Sequence, residues 1–244
     1  MSAAAAVEPR DVSRAAALAA ELEGAHPLEV LRTAVEREFP GTLALVSSFG
    51  AESATLLHMV ARVDRRLPVI FIDTDKHFPQ TLDYRDALVS RLKLTDVRIV
   101  KPEPNELAKE DPKGDLWRAD PDACCTIRKV RPNERALKEF EAWISGRKRH
   151  HGGVRAHLPV VEHDGGRFKI NPLVAWTPKE IKAYMKTYDL PAHPLVAQGF
   201  PSIGCWPCTS PTEGTDARAG RWAGSGKTEC GIHRAAPPLR RQAF

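Results

Sequence analysis

Residues 42–75 read TLALVSSFGAESATLLHMVARVDRRLPVIFIDTD, and the order of patterns within them decides the fold. Residues 42–46 form a short apolar run of strand type. The run passes into SSFGAES, residues 47–53, and then into a helical pattern that reaches about residue 62. Residues 67–72 are a second apolar run, closed by Asp73, Thr74 and Asp75. Strand, loop, helix and strand in this order predict parallel pairing through a right-handed crossover. In such sheets ligands bind beyond the carboxyl ends of the strands, which makes SSFGAES and the DTD loop the candidate binding edge.

Working outward, a helix from about residue 79 to residue 92 and a third strand at residues 97–100 extend the pattern. Upstream, residues 15–38 carry apolar residues at helical spacing broken near His26 and Pro27, so two short helices precede the first strand. Residues 105–123 are polar and read as loop with at most short helix, whereas residues 124–143 are helical in pattern apart from Pro132. A fourth strand is predicted at residues 144–146, and a hairpin at residues 158–170 turning at 164–166. Pro178 opens a helix to about residue 188. From His193 onward periodicity fades, and a long irregular tail that carries cysteines is expected to be functional.

The 244 residues, 42% of them hydrophobic, suffice for one sizeable core. The fold class is therefore α/β, a single domain with a parallel-type sheet. It has a helical segment over residues 1–40, an α/β body over 41–200 and an irregular tail over 201–244 that belongs to the same domain.

Lys and Arg number 36 against 31 Asp and Glu, a surplus too small and too dispersed to indicate nucleic acid as partner. A small polyanion is a sufficient partner. The tightest basic run, Arg147, Lys148, Arg149, His150 and His151, has a solvated loop as its plain reading. Near the start, Glu8, Arg10, Asp11, Arg14 and Glu21 interrupt any apolar stretch of signal-peptide length, and no segment is expected to span a membrane. The expected location is cytoplasmic, and there the five cysteines are expected to act as ligands or nucleophiles rather than disulfide partners.

Cys124 and Cys125 are adjacent, and Cys205 and Cys208 form a C-x-x-C within SIGCWPCT. Adjacent cysteines wrap poorly round one zinc ion, whereas a four-iron cluster offers each thiolate its own iron. A [4Fe-4S] cluster is the favoured reading of the four. Zinc comes next, and buried small hydrophobes are the plain alternative. A thioredoxin-type redox pair is disfavoured, because glycine and prolines surround the C-x-x-C and no helix follows it. Cys230, in KTECGIHR, stands apart; its plain reading is a fortuitous exposed thiol, against which Lys227, His233 and Arg234 nearby in sequence offer charge or hydrogen bonds that would stabilise a thiolate and so make a nucleophile.

Taken together these residues resemble the assimilatory adenylyl-sulfate and phosphoadenylyl-sulfate reductases, in the branch that carries a four-iron cluster. The match runs through SSFGAES, FIDTDKHFPQT, CCTIRKVRP, SIGCWPCT, RAGRW and ECGIH in the family's order, over about 190 residues. The resemblance implies a fold of the adenine-nucleotide α-hydrolase type and cluster ligation by Cys124, Cys125, Cys205 and Cys208. It implies that Cys230 attacks the substrate's sulfur and becomes an S-sulfonate, which thioredoxin or a similar dithiol cleaves to release sulfite.

For the substrate, the resemblance implies contacts from Ser47, Ser48, Phe49, Gly50, Ser53, Asp73 and Thr74 at the strand ends. It places Lys129 between cluster and substrate, and gives Arg218, Arg221 and His233 to the phosphosulfate, whose oxygens suit arginine's planar fork. The segment GRKRHHGGVR departs from the family's pattern, which leaves Lys148 and Arg155 open between substrate contacts and solvated charges.

The implied substrate is adenosine 5'-phosphosulfate, with its 3'-phosphorylated form as the alternative. Related ATP-splitting enzymes carry a glycine pair and an aspartate where Phe49, Ala51 and Glu52 stand, which counts against a cluster-containing tRNA thiolation enzyme. An iron-sulfur or zinc sensor would leave Cys230 without a task. A homo-oligomeric state is left open.

Overall fold

The computed structural model describes residues 9–164, 166–214 and 216–233. Helix α1 (Pro9–Leu22) and helix α2 (Pro27–Arg32), which continues as a π-helical turn over Thr33–Glu38, precede the sheet. The chain then runs β1 (Leu43–Val46), α3 (Ser53–Val63), β2 (Val69–Ile72), α4 (Pro79–Leu92) and β3 (Val97–Val100). Three short helices follow, α5 (Pro104–Glu110), α6 (Leu116–Ala119) and α7 (Pro121–Cys125). A π-helical turn (Thr126–Val130) leads from the last of them into α8 (Arg131–Ala136). The remaining elements are β4 (Ala142–Ile144), β5 (Val161–Asp164), β6 (Arg167–Ile170) and α9 (Pro178–Thr187).

Local chemistry sets several of these boundaries. Pro79 and Pro178 occupy first-turn positions, where the missing N–H costs nothing. Thr177 and Glu180 close a reciprocal capping box at the start of α9. Asp120 caps α7 by accepting from the N–H groups of Asp122 and Ala123 at 3.0 and 2.8 Å.

The six strands lie in the order β3-β2-β1-β4-β6-β5, all neighbours parallel except β5 against β6. Leu45 pairs with Val69 on one side and Ile144 on the other. Alternation along β1 and β2 sends Leu43, Leu45, Val69 and Phe71 to a large core with Leu31, Leu57, Ile144 and Phe168. Ala44, Ile70 and Ile72 face a smaller core with Leu137, Phe140 and Trp143. Phe71 is fully buried, and one such side chain contributes roughly 1.5–3 kcal/mol.

Two expectations change. The fourth strand is Ala142–Ile144, two residues earlier than the apolar pattern predicts, and the helical run over 124–143 breaks into pieces ending at Ala136. A three-residue strand is too short to reveal a period of two, so its Trp143 blends into the preceding helical spacing. The polar stretch after Pro104 holds two short helices, α5 and α6.

The strand order has a functional consequence. Crossovers from β1 proceed toward β3, while β4 lies on the other side of β1, so the sheet's switch point falls between β1 and β4. Ligands in open α/β sheets bind at such a point, beyond the carboxyl ends.

Candidate active site

A cleft of about 1330 Å³, mouth included, opens at this switch point. The loop after β1 forms one wall. Phe49 sits at a positive φ of 48°, strained for a non-glycine residue, and its ring is fully buried edge-to-face on Phe71 at 5.6 Å. Its N–H bonds the Ser47 hydroxyl at 3.2 Å. The buried ring fixes the turn so that Ser47, Ser48, Gly50, Ala51, Glu52 and Ser53 line the cleft at the N-terminus of α3, an electropositive end suited to anions.

The loop after β4 forms the facing wall, with Ser145, Gly146, Arg147 and Lys148 lining it. Here the solvated-loop reading of the basic run is corrected: Arg147, Lys148 and Arg155 are 6, 4 and 7% exposed. Carboxylates distant in sequence draw them inward. Arg147 pairs with Glu162, Lys148 with Glu52 at 2.9 Å, and Arg155 with Glu229 at 2.6 Å. Burial lowers the Arg147 pKa to about 10, and lowers that of Lys148 against the pull of Glu52. Arg149 alone of these arginines turns away, to a partly exposed pair with Glu23 at 2.7 Å.

The irregular tail closes the cleft. Arg221 lies over the Trp222 ring at 4.5 Å, and Arg218 donates to the Thr228 carbonyl at 3.0 Å. Burial lowers the pKa of both, Arg218 to about 10. The His233 ring stacks on Trp143 with centroids 5.6 Å apart and planes 8° from parallel. Burial, with Arg147 and Lys169 adding repulsion, holds its pKa well below the usual value, so the ring is neutral.

Cys230 also lines the cleft, and its pKa lies well below a free thiol's. A hydrogen bond from the Cys125 thiol is the largest cause; it outweighs burial, and the Lys129 and Arg221 cations lower the value further. Lys129 and Arg221 thus act on Cys230, cations that the neighbourhood in sequence does not indicate. Lys227 pairs with Asp122, and Arg234 lies outside the described residues.

Behind this wall the four remaining cysteines line one small cavity, with Trp117, Arg128, Lys129 and Trp222. All four are free thiols, Cys208 half-buried and the others buried. Burial raises Cys124 to about 11 and also raises Cys208, so both are protonated thiols when no metal is bound. Cys124 and Cys125 come from α7 while Cys205 and Cys208 flank a single turn, so two chain segments converge on the cavity. Thr74 contacts the Cys205 sulfur at 3.2 Å. The donor set, four cysteine sulfurs converging from two segments, suits a thiolate-bound cluster.

Among the described residues, Glu52, His150 and His151 bring ligand atoms within 4.8 Å of one another. Their surroundings oppose a cation. Lys148 sits on Glu52, Arg155 donates to His151 Nδ1 at 3.1 Å, and burial together with these cations pushes His151 down to about 2.

Lys129 and Trp222 line both cavities. Burial works against the Lys129 charge, but the sulfurs of Cys205, Cys230 and Cys125 outweigh it and raise the pKa. The cation therefore stands in the partition between the two sites.

Of the residues singled out in the sequence, Ser47, Ser48, Gly50, Ser53, Lys129, Lys148, Arg155, Arg218, Arg221, Cys230 and His233 line the cleft. Phe49 lies behind its wall. Asp73 and Thr74 lie outside the lining; Asp73 accepts from Asp75 N–H, and Thr74 faces the cysteines. Sequence reading missed Glu52, Trp143, Ser145, Arg147, His151 and Glu229. A fourth strand placed at Ala142–Ile144 would have brought out Ser145 and Arg147 as the loop beyond its carboxyl end.

The sheet order and the position of the cleft define an α/β protein of the adenine-nucleotide α-hydrolase type. Flavin-nucleotide adenylyltransferase from Candida glabrata shares this fold at a TM-score of 0.53, with 16% identity over 82% of this chain and 75% of that one. The family model described as the phosphoadenosine phosphosulfate reductase domain matches residues 42–211, and the chain belongs to that family. Phosphoadenylyl-sulfate reductase from Candida auris, solved with phosphate, superposes at a TM-score of 0.70. It is 33% identical, covering 84% of this chain and 98% of its own. Adenosine 5'-phosphosulfate reductase from Mesorhizobium japonicum is 52% identical over 91% of this chain and 87% of its own length. The protein of the same name from Deinococcus radiodurans is 44% identical over 84% and 81%.

Proposed function

We propose that the protein is an oxidoreductase acting on sulfur, which reduces adenosine 5'-phosphosulfate to sulfite and AMP in sulfate assimilation. Thioredoxin or a similar dithiol supplies the electrons. The observation that carries this reading is Lys129, which lines both the anion-binding cleft, beside Cys230, and the four-cysteine cavity. The relatives named above support the choice of substrate.

Ser47, Ser48, Gly50 and Ser53 with the α3 N-terminus hold the nucleotide, while Arg218, Arg221, Lys129, Lys148, Arg155 and neutral His233 meet the phosphosulfate oxygens. The Cys230 thiolate attacks the sulfur, the bond from that sulfur to the bridging oxygen breaks, and AMP leaves with the electron pair. Cys230 then carries an S-sulfonate. A thiolate of the dithiol attacks the Cys230 sulfur, sulfite departs with the S–S electron pair, and the second thiol resolves the mixed disulfide.

Cys124, Cys125, Cys205 and Cys208 would hold a [4Fe-4S] cluster, which when bound supplies an anionic centre against Lys129. Zinc is disfavoured because the adjacent Cys124 and Cys125 wrap poorly round a single ion. Reduced thiols suit a reducing compartment, and we place the activity in the cytoplasm. Among the described residues no helix is long and apolar enough to cross a membrane.

The test is sulfite release with thioredoxin present and ATP absent, from adenosine 5'-phosphosulfate and from its 3'-phosphorylated form in parallel. Faster release from the first is expected. Release from neither overturns the proposal.

A further inference from the structure

The segment that carries Cys230 has little regular structure to hold it. Its backbone bonding is local, from Ser225 N to Trp222 O and from His233 N to Cys230 O. Docking must therefore come from side chains: Lys227 pairs with Asp122, the His233 ring stacks on Trp143, and Glu229 makes the contacts next to the nucleophile itself. Its carboxylate accepts from Arg155 Nε at 2.6 Å and Arg155 Nη2 at 2.8 Å, a bidentate pair. The same Oε1 accepts from the backbone N–H of Cys230 at 2.9 Å. Arg218 stands 3.6 Å from Oε1 while donating to the Thr228 carbonyl. The Glu229 side chain is only 8% exposed.

This geometry joins two requirements. A guanidinium offers five donors; Glu229 takes two from Arg155 and His151 Nδ1 a third, so two N–H groups stay available to an anion in the cleft. The carboxylate meanwhile balances the charges of Arg155 and Arg218, which would otherwise be buried side by side. Removing one partner of such a pair leaves an uncompensated buried charge.

We infer that Glu229 is a positioning residue for Cys230: through Arg155 on one side and the Cys230 amide on the other, it docks the nucleophile-bearing segment against the cleft wall. The inference rests on the reading of Cys230 as nucleophile. Glu229 itself touches no reacting atom; it shortens the search of the sulfur for its target.

The experiment compares cluster-loaded wild type with Glu229→Gln and Glu229→Asp. Three quantities are measured: hydrogen exchange of residues 226–233 without substrate, affinity for AMP, and the single-turnover rate of Cys230 S-sulfonation at saturating substrate. Glu229→Gln is expected to exchange at least tenfold faster over this segment, bind AMP within threefold of wild type, and form the adduct at least tenfold more slowly. Glu229→Asp, which keeps the charge on a shorter stem, should recover part of both losses and covers the case of a Gln variant that does not fold. Faster exchange with an unchanged adduct rate overturns the positioning role. Slower adduct formation with unchanged exchange overturns docking as its cause. If wild type forms no adduct, the nucleophile reading has failed, and the exchange data still judge the docking.

Discussion

The Arg221 guanidinium lies so close to Gly204 that a β-carbon built on the glycine would sit 2.2 Å from Nη2. Glycine is required here for close approach rather than for an unusual dihedral. Gly204→Ala should therefore push the guanidinium out of the cleft without touching any substrate contact directly. Loss of a charge-assisted bond in a desolvated pocket costs about 1.5–3 kcal/mol, so nucleotide affinity should fall about ten- to hundredfold. Arg149→Ala, at a partly exposed pair outside the cleft lining, is the control and should bind as wild type. Equal affinity in the two variants would mean that Arg221 does not face the substrate.

The cysteine cavity makes a compositional prediction. Anaerobically purified protein should be brown and contain iron and acid-labile sulfide in equal amounts. Cys205→Ser or Cys208→Ser should remove most of the cluster, and Cys230→Ser should keep it. Colourless protein with stoichiometric zinc would overturn the assignment.

How much of this was legible beforehand depended on the distance over which each contact acts. The β1 and β2 runs, the α4 helix opening at Pro79 and the antiparallel hairpin of β5 and β6 rest on local pattern and turn residues, and they appear where the periodicity puts them. The burial of Arg147 and Lys148 rests on Glu162 and Glu52, which β5 and the loop after β1 deliver. Arg155 meets Glu229 across 74 residues of sequence. Charges read alone look solvated; only the partner shows otherwise. The two cysteine pairs converge on one cavity, as their grouping in sequence suggests, whereas the cations acting on Cys230 include Lys129 and Arg221, which no nearness in sequence reveals.

Stability should respond to acid through His193. This ring is 1% exposed; its Nδ1 accepts from Leu195 N–H at 3.2 Å, so Nε2 carries the proton and donates to Thr81 at 3.0 Å. Burial depresses its pKa to about 4 from 6.5. The unfolded chain therefore binds a proton here first as pH falls. The stabilisation from this site is complete above pH 6.5, declines below that, and is exhausted near pH 4. At about 1.4 kcal/mol per unit, the site can account for up to about 3 kcal/mol. Urea unfolding of wild type and His193→Gln across that range should show a shallower decline in the variant. Parallel declines would remove His193 from the account.

The last prediction concerns which sulfur reacts. If the cluster engages Cys124, Cys125, Cys205 and Cys208, Cys230 has the sulfur left free, and it lines the cleft where the buried arginines converge. Lys129 and Arg221 stabilise its thiolate, and they persist even if cluster ligation removes the hydrogen bond from Cys125. A thiolate prepared in this way can attack sulfur at neutral pH, and AMP is a good leaving group. With no reductant to cleave the S-sulfonate, the reaction should stop after one turnover. Incubation with substrate alone should add the mass of one sulfonate to the peptide containing Cys230, and thioredoxin should then remove it as sulfite. Cys230→Ser should retain the cluster and bind nucleotide, yet form no adduct and release no sulfite. Lys129→Ala should slow adduct formation by more than about tenfold, because it removes a cation that serves both thiolate and substrate in a water-poor site. An adduct mapped to any of the other four cysteines, or sulfite release by Cys230→Ser, would require a different division of labour between the cleft and the cysteine cavity.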